Sequence, residues 1–240
     1  MRTSRFSTLW LLFFCAAPLL SAGARPDARA AVRALDARYR RAATLEASFL
    51  EIFRDSNGGV ASESGTVYFS RPGRMRWEYE SPEQKLFLVD GKNVWFYVPA
   101  DQTASRAKLK ESSDWRTPLA LLAGKADLGK LCASIETLDA NSAGRGQPEN
   151  KALAAGDTVL RCTPRDGSGH SGSASQGVLL ETDQDAHLVR VVIHDPGGTE
   201  TDFRFGNWEE NIPIAESKFH FEPPPGVSIV DEESLAGEMH

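Results

Sequence analysis

The chain has 240 residues, 41% of them hydrophobic and 25% charged, an ordinary mix for a soluble globular protein with a sizeable core. A net charge of −6 and a pI near 5.5 exclude the broad basic footprint of a duplex-binding protein and disfavour a polybasic grip on anionic headgroups. Aromatic residues at 9% argue against disorder, and three cysteines are too few for a disulfide scaffold.

Residues 1–24 are expected to be a signal peptide. Arg2 and Arg5 precede an apolar run from Leu9 to Leu20, and Ala22-Gly23-Ala24 supplies a small-x-small cleavage site. The run is too short to span a bilayer as a helix, and Phe14 is too bulky beside Cys15 for a lipidated-cysteine signal. Residues 25–240 then form one exported domain, with Cys132 and Cys162 in a compartment where disulfides persist.

A helix is predicted from Asp27, a plausible N-cap, with Val32, Leu35 and Tyr39 at spacings of three and four. From Leu45 the pattern changes to a strand, Asn57-Gly58-Gly59 turns it, and Gly65 to Ser70 returns. After Arg71-Pro72-Gly73, the residues Met75, Trp77 and Tyr79 alternate with Arg76, Glu78 and Glu80 as a half-buried strand. Leu86 to Val89 and Val94 to Val98 make a hairpin about Asp90-Gly91. Trp115 to Leu128 is helix-like, capped at Thr117 with Pro118 first in the helix. Strands follow at Leu131 to Leu138, Thr158 to Cys162, Val178 to Thr182, Leu188 to His194, Thr199 to Phe205, Lys218 to Phe221 and Val227 to Val230. The polar stretches Asp139 to Asn150 and Arg165 to Gln176 are loops. About ten strands and two helical interruptions give an α+β fold, a single domain with one strongly curved antiparallel sheet and helices on one side.

Catalytic signatures are missing. Gly167 to Gly172 matches G-x-G-x-x-G, but a strand follows it where a βαβ unit should. No H-E-x-x-H, C-x-x-C or G-x-S-x-G is present, so no metal or nucleophile site is expected. Asp183 and Asp185 flank Gln184 in a solvated turn without the other ligands of a calcium loop. The chain reads as a binder, neither an enzyme nor a cofactor carrier.

Several segments, in order, resemble the LolA family. Leu45-Glu46-Ala47-Ser48-Phe49, Gly65 and Arg71-Pro72-Gly73-Arg74-Met75-Arg76-Trp77 come first. Asp90-Gly91-Lys92-Asn93-Val94-Trp95-Phe96-Tyr97 is similar to the family's D-G-K-x-[LV]-W-x-Y hairpin, and Thr117-Pro118-Leu119-Ala120-Leu121-Leu122 to its T-P-x-x-L-L helix start. Leu160 to Pro164 resembles its L-x-x-x-P strand end, and Lys218 to Val227 its F-x-F-x-P-P-x-G-V ending. The matches run from Leu45 to Asp231.

The resemblance implies an unclosed antiparallel β-barrel of about eleven strands covered by an α-helical lid. It implies a monomeric periplasmic chaperone that binds lipoprotein acyl chains in its hollow. The cargo would come from an inner-membrane lipoprotein-releasing ABC transporter and pass to an outer-membrane lipoprotein acceptor. A carrier of another lipid, glycolipid or free lipid, is the alternative. Arg71 falls on the arginine that latches the family's lid, and Met75 on a position where the family often has an aromatic. The acyl-chain cavity is assigned to Val67, Phe69, Met75, Trp77, Tyr79, Trp95, Leu119 and Leu122. From the residues alone, a filled core with Arg71 in a solvated turn is the simpler reading; the resemblance turns it into a cavity wall.

A disulfide between Cys132 and Cys162 is also expected. Antiparallel pairing of their strands centred on Gln147 places the two directly opposite, within bridging distance. Two buried free thiols are the alternative.

Overall fold

Asp27 accepts the Arg29 N–H at 3.1 Å and caps helix α1, Ala28–Arg41. The structure is a computed structural model and describes residues 27–109, 122–124, 128–138, 154–164, 177–195 and 197–232. The proposed signal peptide, the predicted helix start from Thr117 through Leu121 and both long polar loops lie outside the described residues. α1 turns Leu35 and Tyr39 inward, where both are fully buried. After Ala42 the chain enters a series of strands.

Twelve strands make one sheet. β1 (Thr44–Arg54), β2 (Val60–Ser70), β3 (Arg74–Ser81), β4 (Lys85–Val89), β5 (Asn93–Val98) and β6 (Thr103–Lys108) form one antiparallel meander. A short helix, α2 (Leu128–Leu131), leads into β7 (Cys132–Leu138). β8 (Thr158–Pro164), β9 (Val178–Thr182), β10 (Leu188–His194) and β11 (Glu200–Glu210) complete a second meander. β11 pairs with β1 and joins the two. β12 (Ser228–Glu232) lies parallel to β6, so the sheet is not wholly antiparallel as expected. The order runs β12-β6-β5-β4-β3-β2-β1-β11-β10-β9-β8-β7, and the two outer strands do not pair with each other. The barrel is unclosed.

Other departures have local causes. β6 was not foreseen, because Thr103 to Lys108 offers only Ala104 and Ala107 as buried apolar side chains. Lys218 to Phe221 is no strand: Glu216–Phe219 forms a 3₁₀ turn on the sheet's outer face. The helix-like pattern from Trp115 to Leu128 is interrupted at Gly124, whose φ of +73° ends a helical turn.

Alternation divides the strands between two surfaces. Leu45, Ala47, Phe49, Val67, Phe69, Trp77, Phe87, Phe203 and Phe205 share the inner core with α1. Leu86, Leu88 and Trp95 face outward into a second cluster beneath Ile214, Phe219 and Phe221. The segment 211–232 therefore straps the outside of β3 to β6. Lys218 Nζ bonds both Glu78 oxygens at 3.0 Å and stands 4.2 Å from the Tyr68 ring centroid. Arg106 and Asp231 pair in bidentate fashion at 2.7 and 3.0 Å between β6 and β12. Across β9, β10 and β11 the outer face instead holds buried charge: Arg190 grips Asp202 through two bonds of 2.9 Å, and Arg204 reaches the same carboxylate at 3.0 Å.

Cys132 and Cys162 are bonded, with S–S 2.02 Å and Cα atoms 5.5 Å apart. The expected register is corrected. Cys162 faces Ile135, Cys132 faces Pro164, and a bulge between Cys132 and Ser134 offsets the strands. The bridge is thus diagonal, and it holds because both sulfurs stay on the inner side.

Two predictions follow from these contacts. Changing Cys132 and Cys162 to serine should lower the unfolding free energy by about 3 to 4 kcal/mol in the loop-closure account, read as a lower urea midpoint. Thiol titration of oxidised, denatured protein should find neither sulfur free. For the strap, burial alone would raise the Glu78 carboxyl, but bonds from Lys218 and Arg76 outweigh it and hold the group below the usual glutamate range. The stabilisation is therefore complete above the ordinary glutamate value and fades as pH falls through the lowered one. Amide exchange over residues 212–222, corrected for intrinsic rates, should quicken across that interval, and Glu78→Gln should remove the step.

Candidate functional site

The inner face of β1, β2, β3 and β11 is an aromatic floor. Trp77 lies at its centre, its ring centroid 4.7 Å from Phe49, 6.4 Å from Phe69, 5.6 Å from Phe203 and 6.0 Å from Phe205. Such tilted pairs add to the burial energy of each ring. The rings can meet because of Gly65, which pairs with Phe49 on one side and Tyr79 on the other. A Cβ there would lie 1.9 Å from the Glu78 carbonyl oxygen, so no larger residue fits. Phe49 crosses the gap to stand 5.0 Å from the Tyr79 centroid.

Val67, Phe69 and Trp77 are buried in this floor, and Met75 and Tyr79 pack partly buried against it. The Tyr79 hydroxyl donates to Glu51 at 2.9 Å, and Lys85 pairs with Glu63. These polar groups fall at the end of the strands remote from Arg71. Leu122 is fully buried in the same cluster, whereas Leu119 lies outside the described residues. Trp95 is a correction. It belongs to the outer cluster, its indole N–H donating to Asp90 at 3.2 Å and its ring 5.4 Å from Phe221. Val94 and Phe96, its neighbours along β5, are the residues that pack inward.

Helices cover the floor. Tyr39 of α1 packs edge-on to Trp208 at 5.7 Å, and its hydroxyl accepts the Leu188 N–H at 2.9 Å. Burial pushes the Tyr39 phenol well above its ordinary value, so the group stays neutral. Arg38 extends from the other flank of the helix to Glu210 at 2.6 Å and to the Asp185 carbonyl at 2.8 Å.

At the near end, Arg71 connects three pieces of chain. Its N–H donates to the Ala43 carbonyl at 2.9 Å, and its Nη1 to the Ala42 carbonyl at 3.4 Å, at the C-cap of α1. Gly73 N–H donates to the Ala123 carbonyl at 2.7 Å. The guanidinium lies over Gly124, where a Cβ would come within 2.2 Å of Nε. Burial draws the Arg71 pKa down from the usual arginine value. Arg71 thus touches two helical parts of the cover, the end of α1 and the Leu122–Gly124 segment.

Sequence reasoning missed Phe203, Phe205 and Gly124. Alternation through Thr199 to Phe205 could have indicated the first two, and a glycine closing a helical stretch the third. Asp183, Asp185 and His187 bring three ligand atoms within 4.8 Å, but the turn is already satisfied. Asp183 accepts the Asp185 and His187 N–H groups at 2.9 and 2.8 Å, and Arg38 lies against the His187 ring. A guanidinium in that position opposes a cation.

The outer membrane lipoprotein carrier protein LolA family model matches residues 40–141. An outer-membrane lipoprotein carrier protein of Nitrosospira multiformis is 30% identical over 192 residues, covering 80% of this chain and 84% of the relative. A namesake from Xylella fastidiosa is 29% identical over 231 residues, covering 95% and 98%. The crystal structure of a LolA superfamily protein from Nitrosomonas europaea aligns with TM-score 0.43 and 11% identity, over 82% of this chain and 98% of that one.

The seat beneath the guanidinium yields a prediction. Gly124→Ala should displace Arg71 and speed amide exchange at Gly73, whose N–H the Ala123 carbonyl holds, and through the last turn of α1. Exchange across the β1–β2 ladder should stay as it is. Unchanged exchange at Gly73 would show that Arg71 does not hold this segment.

Proposed function

The chain belongs to the LolA family, and on that premise we propose that it is a periplasmic carrier, without catalysis, whose inner face takes up lipoprotein acyl chains. On this reading residues 1–24 direct export and residues 25–240 are the carrier. It receives cargo as a monomer from an inner-membrane ABC transporter and delivers it to an outer-membrane acceptor.

One observation carries the reading. The aromatic floor around Trp77 is covered by helical pieces, and at one corner Arg71 touches two of them, the end of α1 and the Leu122–Gly124 segment. A core meant to stay shut needs no such single point. In the closed state the rings pack on one another, so uptake must lift the cover and place acyl chains among them. Apolar chains have no directional demands, and burial returns about 0.8 kcal/mol per methylene. Release needs the closed state to be favoured by only a few kcal/mol over the open one.

Mass spectrometry of lipid extracted from protein purified out of the periplasm tests the cargo. A triacylated peptide is expected; free lipid or glycolipid alone would make it a carrier of another class. Affinity for fatty probes of increasing length should rise with each methylene until the interior is full, followed through emission of the buried Trp77. Arg71→Leu should fold and load, yet pass its cargo poorly to the acceptor, because the closed state no longer competes with the loaded one. Normal transfer by this variant, with loading unchanged, would count against the latch.

A further inference from the structure

α1 carries five arginines and one aspartate in 14 residues, within a chain whose net charge is −6. Among the described residues, one of the five is tied closely into the fold. Arg38 is engaged with Glu210, Asp185 and His187. Leu35 and Tyr39 fix which side of the helix faces the floor. At 3.6 residues per turn, Arg29, Arg33 and Arg40 then fall in one outward stripe, about 40° wide and about 17 Å long, with Arg41 flanking it. All four are exposed. Among the described residues Arg29, Arg40 and Arg41 form no ion pair, and Arg33 reaches only Asp27, at 4.0 Å.

Helix stability does not explain the row. Arg40 and Arg41 suit the negative end of the macrodipole, but Arg29 stands in the first turn, where a cation is unfavourable, and no acidic residue accompanies it there. Beyond the dipole at the helix end and the 4.0 Å approach to Asp27, no contact among the described residues uses this charge.

We propose that this face of α1 is a docking surface for an acidic segment of a partner protein. Ala30, Ala34 and Ala37 separate the arginines, so the guanidinium groups stand clear of bulky neighbours. The outward side offers no aromatic or long aliphatic group to enter a bilayer, which disfavours a lipid surface. Planar guanidinium forks bind carboxylates in bidentate fashion, which favours aspartate and glutamate side chains. The row ends beside Ala42, whose carbonyl accepts from Arg71. A partner bound there pulls on the helix one turn from the latch. The surface is independent of what the inner face carries.

The test uses the full mature chain at about 150 mM salt, where bare charges are screened beyond about 8 Å. Binding of a labelled oligoglutamate and of phosphatidylglycerol-containing vesicles is compared for the wild type, for Arg29→Gln/Arg33→Gln/Arg40→Gln/Arg41→Gln, and for the corresponding four lysine changes. Glutamine keeps helix propensity, and circular dichroism with fatty-probe uptake verifies fold and interior. Oligoglutamate should bind the wild type, weaken roughly tenfold or more in the glutamine variant, and weaken in part with lysine, which lacks the fork. No oligoglutamate binding, or binding that ignores the substitutions, overturns the proposal. Vesicle binding that alone depends on the four arginines overturns it in favour of a bilayer contact.

Discussion

Burial of the aromatic floor is the interaction on which the remaining architecture depends. Phe49, Phe69, Trp77, Phe203 and Phe205 project from one side of a sheet whose outer strands do not meet, so the sheet cannot enclose them unaided. Withdrawing each ring from water contributes roughly 1.5 to 3 kcal/mol, and each tilted pair about 0.5 to 1.5 kcal/mol more. Something must lie over them, and the described structure uses α1 and the segment around Leu122. Gly65 and the bulged register beside it serve the same end, because they let β2 bend and the rings of its neighbours touch. Tyr39 and Arg38 then place α1, and Arg71 places the end of α1 against Gly124.

Much of this is legible in the sequence where one face of a strand is apolar and the other charged. Met75, Trp77 and Tyr79 against Arg76, Glu78 and Glu80 leave no choice of orientation, and Asp27 identifies its own helix start. Legibility ends where both faces are apolar. Along β5, Val94 and Phe96 alternate with Trp95 and Tyr97, and nothing local says which pair faces the interior. The choice is made by Phe219 and Phe221, which return from far along the chain to cover Trp95. Strand β6 escaped notice for the opposite reason: its buried positions are alanines, and its place in the sheet comes from its neighbours. The disulfide illustrates a third limit. Its partners could be named, but a single bulge shifted the register beyond what counting residues along the loop can give.

The two halves of the outer face solve one problem with different chemistry. Over β3 to β6 rings meet cations: Arg74 of β3 stands 5.1 Å from the centroid of the strap's Phe219, and Arg106 of β6 stands 5.3 Å from that of Trp95. Over β10 and β11 the polar residues pair among themselves, and Asp202 is fully buried between two arginines. A buried ion pair of this kind is weak evidence for stability, because desolvation offsets most of the attraction. Its effect is on alignment: sliding β10 along β11 would separate Arg190 from Asp202 and leave a charge without its counterpart.

The pairing of the strands resembles a bound book. The two meanders share a single spine, β1 against β11, and among the described residues the fore-edges β7 and β12 are not joined to each other. A closed barrel has a girth fixed by strand number and stagger. A book has none: its covers can part or draw together through small changes of twist along every page, without breaking one rung of the ladder. The bridge from Cys132 to Cys162 stitches the last page on one side to the page before it, leaving the covers free of each other. If the inner face takes up acyl chains as proposed, such a binding closes on its own rings when empty and widens by degrees around guests of different bulk.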